Sequence, residues 1–74
     1  MIDVEKVSDN LYGVMDVLRG VQVGWLRRGP AGNEWFVLNN DEAIVAGPYV
    51  SRKRAAQEVP FALKSEFGVG SPAN

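Results

Sequence analysis

The chain has 74 residues, of which 46% are hydrophobic and 23% charged, and eight Lys and Arg against nine Asp and Glu give it a net charge of −1. This length allows one small domain, which buries only roughly 60% of the surface of its unfolded chain. The absence of cysteine and histidine excludes disulfides, zinc fingers and catalytic sites that need a histidine base, and the near-neutral charge argues against a strongly basic nucleic-acid binder.

The first ten residues fit two interpretations. From Val4 to Leu18, apolar residues recur at gaps of three and four, which is the spacing of one face of a helix. They are Val4, Val7, Leu11, Val14 and Leu18. The run Ser8-Asp9-Asn10 and Gly13 argue against a helix, because these residue types favour caps and turns and weaken a helix interior. The sequence leaves the structure of this segment open.

From residue 11 onwards, β-favouring residues come in runs separated by turn residues, which predicts an antiparallel sheet. The runs are Leu11–Val17, Val21–Arg27, Glu34–Asn39 and Ala43–Ala46. Two glycines and a proline between residues 28 and 33 mark one turn, and Asn40-Asp41-Glu42 marks a hairpin tip. We therefore expect a meander of three to four strands.

Alternation within the runs predicts which side chains share a face of the sheet. In the second run, the apolar residues should share one face of the sheet. They are Val21, Val23 and Trp25. In the third run, Trp35 and Val37 should point to one side and Phe36 and Leu38 to the other. Both faces of the sheet are then apolar, and one helix can cover only one of them.

A C-terminal helix should follow the sheet. Residues 47–50 predict the end of the last strand, and Ser51 is the predicted N-cap of a helix that begins at Arg52. Pro60 should interrupt this helix, either by a kink near Val59 or by a fresh start at Pro60 that runs to Phe67. An apolar stripe at every fourth residue would lie on the sheet. It consists of Ala55, Val59, Leu63 and Phe67.

The predicted fold class is α+β, a small antiparallel meander with one Pro-interrupted C-terminal helix packed on one face. We expect one globular domain over residues 1–67 and a disordered tail over residues 68–74, because the tail mixes Gly, Pro and Ser with one apolar side chain. The N-terminus lacks the pattern of a signal peptide, and no uncharged run approaches the roughly 18 residues of a membrane span. A monomeric, cytoplasmic protein without a membrane partner is the expectation.

The residues that act as nucleophiles, acids, bases or ligands in enzymes form no catalytic motif in this sequence. The glycine loop at residues 29–33 lacks the Gly-Lys-Ser/Thr ending that binds phosphate, and Asp41-Glu42 lacks the further ligands of a calcium loop. An acid–base pair drawn from Asp16, Glu34 or Glu58 stays open, but nothing in the sequence selects one. We predict that the protein is not an enzyme and has no catalytic residue, metal or cofactor.

Aromatic and arginine residues predict the binding surface. An uncovered apolar sheet face with such side chains is typical of protein–protein contacts. The candidate partner-binding residues are Tyr12, Trp25, Arg27, Arg28 and Trp35. In the alternative, the N-terminal segment folds over the second face through its apolar residues Ile2, Val4 and Val7 and closes the core.

Five of the eight cations form two short runs, which supports nucleic-acid binding as a second hypothesis. They are Arg27, Arg28, Arg52, Lys53 and Arg54. Cations clustered near a helix start would bind phosphates, while Trp25 or Trp35 stacks on bases. The competing interpretation is an ordinary solvated charge run.

Between Trp35 and Val59 the chain resembles a module of many small bacterial and phage proteins. An aromatic strand meets a polar hairpin tip and a short strand, and Gly47-Pro48-Tyr49-Val50-Ser51 then leads into an Ala-rich helix. This order is similar to that of the hybrid-binding domain of some ribonucleases H and of three-strand DNA readers such as the arm-binding domains of integrases. Those modules are usually basic, whereas this chain is slightly acidic.

By size and composition the chain also resembles small early proteins of bacteriophages that bind host RNA polymerase. The resemblance implies a regulator that binds a host machine such as RNA polymerase and inhibits or redirects transcription. The predicted function is accordingly a non-enzymatic protein-binding module of phage or bacterial origin, with a nucleic-acid-binding module as the alternative.

Overall fold

In the computed structural model, which describes residues 1–64, five antiparallel strands precede one helix. The strands are β1 Ile2–Ser8, β2 Leu11–Asp16, β3 Val21–Arg28, β4 Trp35–Leu38 and β5 Ile44–Tyr49, and the helix is α1 Arg52–Ala62. Each strand pairs with the next one in sequence, so the sheet order is β1-β2-β3-β4-β5. The α+β class and the meander are confirmed. The prediction of three to four strands is wrong, because the N-terminal segment adds a fifth.

This additional strand, β1, owes its structure to alternating apolar and charged residues. Ile2 and Val4 pack against the core, while Asp3 and Glu5 point to the other side of the sheet. β1 pairs with β2 up to a bulge at Val7, whose side chain is exposed. The segment extends the sheet sideways, so the alternative in which it folds over the second face is wrong, and it leaves no groove between itself and the sheet.

A bulge in β3 changes which side chains share a face. The register between β2 and β3 shifts by one residue at Val23. Val23 is buried in the core, whereas Trp25 precedes the core-facing Leu26 and therefore lies on the opposite side of the sheet. The prediction that Val21, Val23 and Trp25 share one face is wrong at Trp25, because simple alternation does not anticipate the extra residue.

The two C-terminal strands differ in how well the sequence predicts them. In β4, Trp35 and Val37 belong to the core and the residues between and after them face away, as predicted. β5 continues through Gly47 and a cis Gly47–Pro48 peptide bond to Tyr49. The strand ends within the predicted stop at residues 47–50, but it runs three residues beyond the predicted end at Ala46, because an edge strand tolerates a proline that has no N–H to donate.

The helix begins where the sequence predicts. The Ser51 hydroxyl accepts a hydrogen bond from the backbone N–H of Arg54 at 3.0 Å, which satisfies one unpaired donor of the first turn. α1 continues through Pro60 to Ala62, so the predicted fresh start at Pro60 is wrong, whereas the kink near Val59 stays a prediction. Pro60 has no N–H to donate to the Ala56 carbonyl, and only two further residues of α1 follow it. The predicted continuation to Phe67 and the tail at residues 68–74 lie outside the described residues.

α1 lies across β3, β4 and β5 and buries one side of the sheet. The core consists of Val14, Val23, Leu26, Trp35, Val37, Ala55, Val59 and Leu63. Burying one Val or Leu side chain fully contributes about 1.5–3 kcal/mol to folding. Three of these residues come from the helix stripe that the sequence predicts, so the stripe does lie on the sheet.

Candidate functional site

Alternation and register divide the predicted partner-binding residues between the two sides of the sheet. Trp25 and Arg27 lie on the side away from α1. Tyr12, Arg28 and Trp35 lie on the side that faces α1. The structure therefore does not bring these five residues together on one surface.

The side away from α1 carries an apolar surface, which we call the open face. It consists of Met15 from β2, Trp25 and Arg27 from β3, Phe36 and Leu38 from β4, and Ile44 from β5. Because α1 packs on the other side, no helix or strand of residues 1–64 covers the open face. An uncovered apolar sheet surface is a feature that interaction sites share.

Trp25 lies at the centre of the open face. A Cβ atom added at Gly13 of β2 would lie 3.9 Å from Trp25 Cζ3, so the indole rests beside a residue that has no side chain. Trp25 pairs across the strands with Leu38, and Leu38 pairs with Ile44. These three residues form an apolar row in which Leu38 is 2% exposed and Ile44 51% exposed. Trp25 is half-buried, so part of its indole is available to a partner.

Charged side chains border the open face at two places. Asp3 and Glu5 of β1 point to this side of the sheet, and both are exposed. Arg27 of β3 is exposed and pairs across the strands with Phe36. The apolar row therefore has an acidic border at β1 and a cation beside Phe36.

On the other side of the sheet, two arginines and two aromatic rings form a continuous arrangement, which we call the stacked cluster. The Arg28 guanidinium lies 4.8 Å from the ring centroid of Trp35, which meets the Tyr12 ring edge-on at 5.7 Å and 65°. Arg52, at the start of α1, stacks over Tyr12 at 4.2 Å. Such contacts contribute about 0.5–1.5 kcal/mol each. Trp35 is 6% exposed, so its indole belongs to the core and does not offer a ring face to a base or a partner.

Arg28 connects two loops instead of projecting into solvent. Its Nη1 donates to the Gly32 carbonyl at 2.9 Å, and its Nη2 donates to the Asp9 carbonyl at 3.4 Å. These bonds tie the loop between β3 and β4 to the turn between β1 and β2. Its Nε is buried and has no hydrogen-bond partner among the described residues. The geometry gives Arg28 a structural role.

The five cations predicted to bind phosphate lie in different surroundings. Arg27 belongs to the open face, whereas Arg28 and Arg52 belong to the stacked cluster. Lys53 is exposed in the first turn of α1, and Arg54 forms an ion pair along the helix at 3.8 Å. Arg27 lies on the side of the sheet away from Arg28 and α1, so the five cations do not form one phosphate-binding surface.

Four residues of the open face were missing from the predicted set, namely Met15, Phe36, Leu38 and Ile44. The signal for Phe36 and Leu38 was in the sequence, because the third run is apolar on both of its faces. Met15 and Ile44 join the open face through strand pairings that contain bulges, and such irregular registers give no signal in a single sequence.

The described residues contain no group of three or more acidic side chains that could hold a metal ion. Within residues 1–64, no helix has the length and the apolar character needed to cross a membrane. Comparison with protein-family models, with curated proteins and with solved structures found no match. Function is therefore inferred from the surfaces of this chain.

Proposed function

We propose that this protein is a non-enzymatic protein-binding module that docks on its partner through the open face. The observation that carries the proposal is that Trp25 and Ile44 are partly exposed on the side of the sheet away from α1. Leu38 lies between them but is 2% exposed, so Trp25 and Ile44 supply the contact area. A half-buried tryptophan in an apolar surface with an arginine nearby is typical of interaction hot spots.

The dimensions of the open face suit one compact element of the partner. Five strands about 4.8 Å apart and about 20 Å long give a face of roughly 500 Å². A standard interface buries about 800 Å² on each partner, so this face accommodates a short segment, such as a helix with apolar side chains along one side. Binding would act by occlusion, because the segment is then withheld from its other contacts.

The same geometry argues against nucleic-acid binding at the open face, since Arg28 and the three cations of α1 belong to the other side of the molecule. Among the described residues, Arg27 is the one cation of the open face, and Asp3 and Glu5 at its border repel phosphate groups. Trp35 is buried, which leaves Trp25 as the tryptophan that can stack on a base. The choice of host RNA polymerase as the partner stays a prediction of the sequence.

Trp25→Ala tests the proposal against a matched control, Phe61→Ala. Phe61 is a large apolar residue of α1 that is 73% exposed and lies outside the open face. Immobilised wild type and both variants are incubated with nuclease-treated bacterial lysate, and the captured proteins are identified by mass spectrometry. We expect a partner that wild type and Phe61→Ala retain and whose affinity for Trp25→Ala falls about tenfold or more, while circular dichroism shows all three proteins folded.

Two outcomes contradict the proposal. If folded Trp25→Ala retains every captured protein, the open face is not the binding surface. If capture requires nucleic acid, and affinity for oligonucleotides falls steeply between about 50 and 200 mM salt with a slope near 0.9 per neutralised phosphate, the nucleic-acid alternative is correct.

A further inference from the structure

We propose a second interaction surface, the outer edge of β1 from Ile2 to Lys6, which binds an extended segment of another protein as an additional strand. The segment carries Lys or Arg at alternate positions with apolar residues between them. Strand addition to an exposed sheet edge is a general mode of peptide recognition, because backbone hydrogen bonds supply affinity and alternate side chains supply specificity. This surface adjoins the open face, because Asp3 and Glu5 point to the same side of the sheet as Trp25, but it offers the backbone groups of the β1 edge instead of the apolar side chains of the sheet.

The hydrogen-bond register shows which backbone groups point outwards from β1. The Met1 carbonyl accepts a hydrogen bond from the Val17 N–H at 3.1 Å. In an antiparallel pair, residues that exchange hydrogen bonds alternate with residues that do not. Since Met1 bonds to β2, the even-numbered residues Ile2, Val4 and Lys6 direct their N–H and C=O groups away from β2, towards the free edge.

A side-chain hydrogen bond agrees with this assignment. The Asp3 carboxylate accepts a hydrogen bond from the Val4 N–H at 3.0 Å, which a strand partner would otherwise take. An exposed side chain that satisfies an edge N–H can rotate away when a strand arrives, because both groups remain hydrated in the free protein. Asp3 therefore protects the edge without blocking it.

The side chains of β1 define the chemistry of the incoming segment. Asp3 and Glu5 lie exposed on one side of the edge, and basic side chains of an added strand would pair with them. On the other side, Ile2 and Val4 are half-buried against the core and would extend their apolar contacts to the segment. Lys6 already pairs with Asp9 at 3.0 Å, so it adds no free charge to the edge.

A second copy of this chain does not fit the edge. Antiparallel pairing of two β1 strands about a two-fold axis places residues opposite each other whose numbers have a constant, even sum. The three registers that pair at least two outward residues of each copy put Asp3 opposite Asp3, Asp3 opposite Glu5, or Glu5 opposite Glu5 of the copy. Like charges directly opposite are destabilising. The acidic pair therefore disfavours pairing with a second copy and favours a basic segment.

The structure limits strand addition to this part of the sheet. The bulge at Val7 ends the regular edge of β1 beyond Lys6. The opposite edge of the sheet is β5, where Pro48 has no N–H and two register shifts break the pairing with β4. Such irregularities are how edge strands avoid pairing. The straight segment from Ile2 to Lys6 is therefore the edge that can accept a strand.

The test uses a capped synthetic peptide of alternating Lys and Val, with a peptide of alternating Glu and Val as the comparison. Affinity is measured by fluorescence anisotropy, and amide hydrogen exchange is followed by NMR. We expect the Lys-Val peptide to bind and to slow exchange at Ile2, Val4 and Lys6, and the Glu-Val peptide to bind more weakly. The expected difference is roughly 2- to 30-fold, as for two exposed ion pairs.

Charge reversal with a matched control makes the test specific. The double variant Asp3→Lys and Glu5→Lys should bind the Glu-Val peptide more tightly than the Lys-Val peptide. The double variant Asp41→Lys and Glu42→Lys changes the net charge equally at the exposed turn before β5 and should keep the wild-type preference. Val4→Pro removes an outward N–H and should abolish binding while circular dichroism shows the fold intact.

Three results overturn the proposal: an unchanged preference after reversal at positions 3 and 5, the same inversion after reversal at positions 41 and 42, or protection that lies elsewhere than the β1 edge. The position of the protected amides separates this surface from the open face, because edge addition slows exchange at Ile2, Val4 and Lys6 and leaves the amides of β3 and β4 unchanged. Changes of chemical shift confined to the side chains of Trp25, Phe36 and Ile44 would place the peptide on the open face, which refutes edge addition and supports the proposed function.

Discussion

Asp16 illustrates how one side chain organises a turn. It is an acidic residue that is only 5% exposed, and its carboxylate accepts hydrogen bonds from the Leu18 N–H at 3.1 Å and from Arg19 Nε at 2.7 Å. The Asp16 carbonyl also accepts a bond from the Gly20 N–H at 2.8 Å. The sequence offered Asp16 only as one member of a possible acid–base pair. Its partners show that it fixes the turn between β2 and β3.

The pKa of Asp16 predicts how stability depends on pH. The hydrogen bond from Arg19 is the main cause that holds this pKa below its ordinary value. A lowered pKa means that the carboxylate stabilises the fold above the pKa of the unfolded chain, and that this contribution is lost as pH falls through the folded-state pKa. We expect the wild-type melting temperature to fall in acid, and Asp16→Asn to melt lower at neutral pH but to lose less on acidification.

Melting curves followed by circular dichroism from neutral to strongly acidic pH measure this difference. Asp41→Asn, which removes a carboxylate from the exposed turn before β5, is the control for net charge. Equal loss of melting temperature in wild type and Asp16→Asn would mean that the turn carboxylate does not contribute to acid sensitivity.

At the scale of elements, the fold depends on a close approach between α1, β3 and β4 at Gly24. A Cβ atom at this position would collide with the Leu38 carbonyl oxygen of β4 and would lie 2.8 Å from Leu63 Cδ1 at the end of α1. The backbone of β4 cannot move away without breaking its pairing with β3. A side chain at position 24 would therefore separate the helix from the sheet.

We expect Gly24→Ala to destabilise the protein by about 1–3 kcal/mol, the usual cost of overpacking. Gly13→Ala is the matched control, since its added Cβ would find its nearest neighbours 3.9 Å away, at ordinary contact distance. Urea unfolding followed by tryptophan fluorescence measures both variants. Equal midpoints for Gly24→Ala and wild type would show that the crossing of α1 over β3 and β4 has room for a methyl group.

The strands and the helix differ in how well their positions could be predicted from the sequence. The runs that became β2, β3 and β4 and the cap at Ser51 were predictable, because they depend on local alternation and on one hydrogen-bonding side chain. β1 was not, since its spacing fits a helix as well as a strand until β2 provides a partner. The extension of β5 through Pro48 was also missed, because only its position at an edge makes the proline tolerable.

The candidate site was predictable to a similar degree. Trp25 and Arg27 do lie on an uncovered face, but Tyr12, Arg28 and Trp35 turned out to stabilise the other side. The bulge at Val23 places Trp25 and Arg27 on one side of the sheet and the other three residues on the opposite side. No local sequence pattern predicts such a bulge. Composition therefore predicted that an aromatic surface exists, and tertiary pairing decided which residues form it.

At the scale of the whole molecule, charge and area favour a monomer. Two open faces packed together would bury roughly 1,000 Å², which is at the lower limit for a stable dimer. Pairing through β1 brings acidic residues together, and β5 is irregular. Symmetric dimers through the open face or through either sheet edge are thus unfavourable. A different partner with an apolar or basic segment avoids the repulsion between acidic residues and can offer a larger contact area.

Sedimentation velocity should therefore give a single species of 8.1 kDa over the accessible concentration range, at low and at physiological salt. Neutralising the edge with Asp3→Asn and Glu5→Asn should promote association, because the repulsion between copies is removed. A dimer of the wild-type protein at low concentration would contradict the estimate of the contact area and would make a second copy the occupant of the open face.

The sequential order of the sheet has a consequence for how the protein is made. Every strand pairs with its predecessor, so each strand pairing joins neighbouring segments of the chain. On the ribosome, each hairpin can form as the nascent chain emerges. α1 is synthesised after all five strands, and until it arrives the apolar side chains of Val14, Leu26 and Val37 stay in contact with water. Completion of the helix is therefore the step that commits the chain to its final packing.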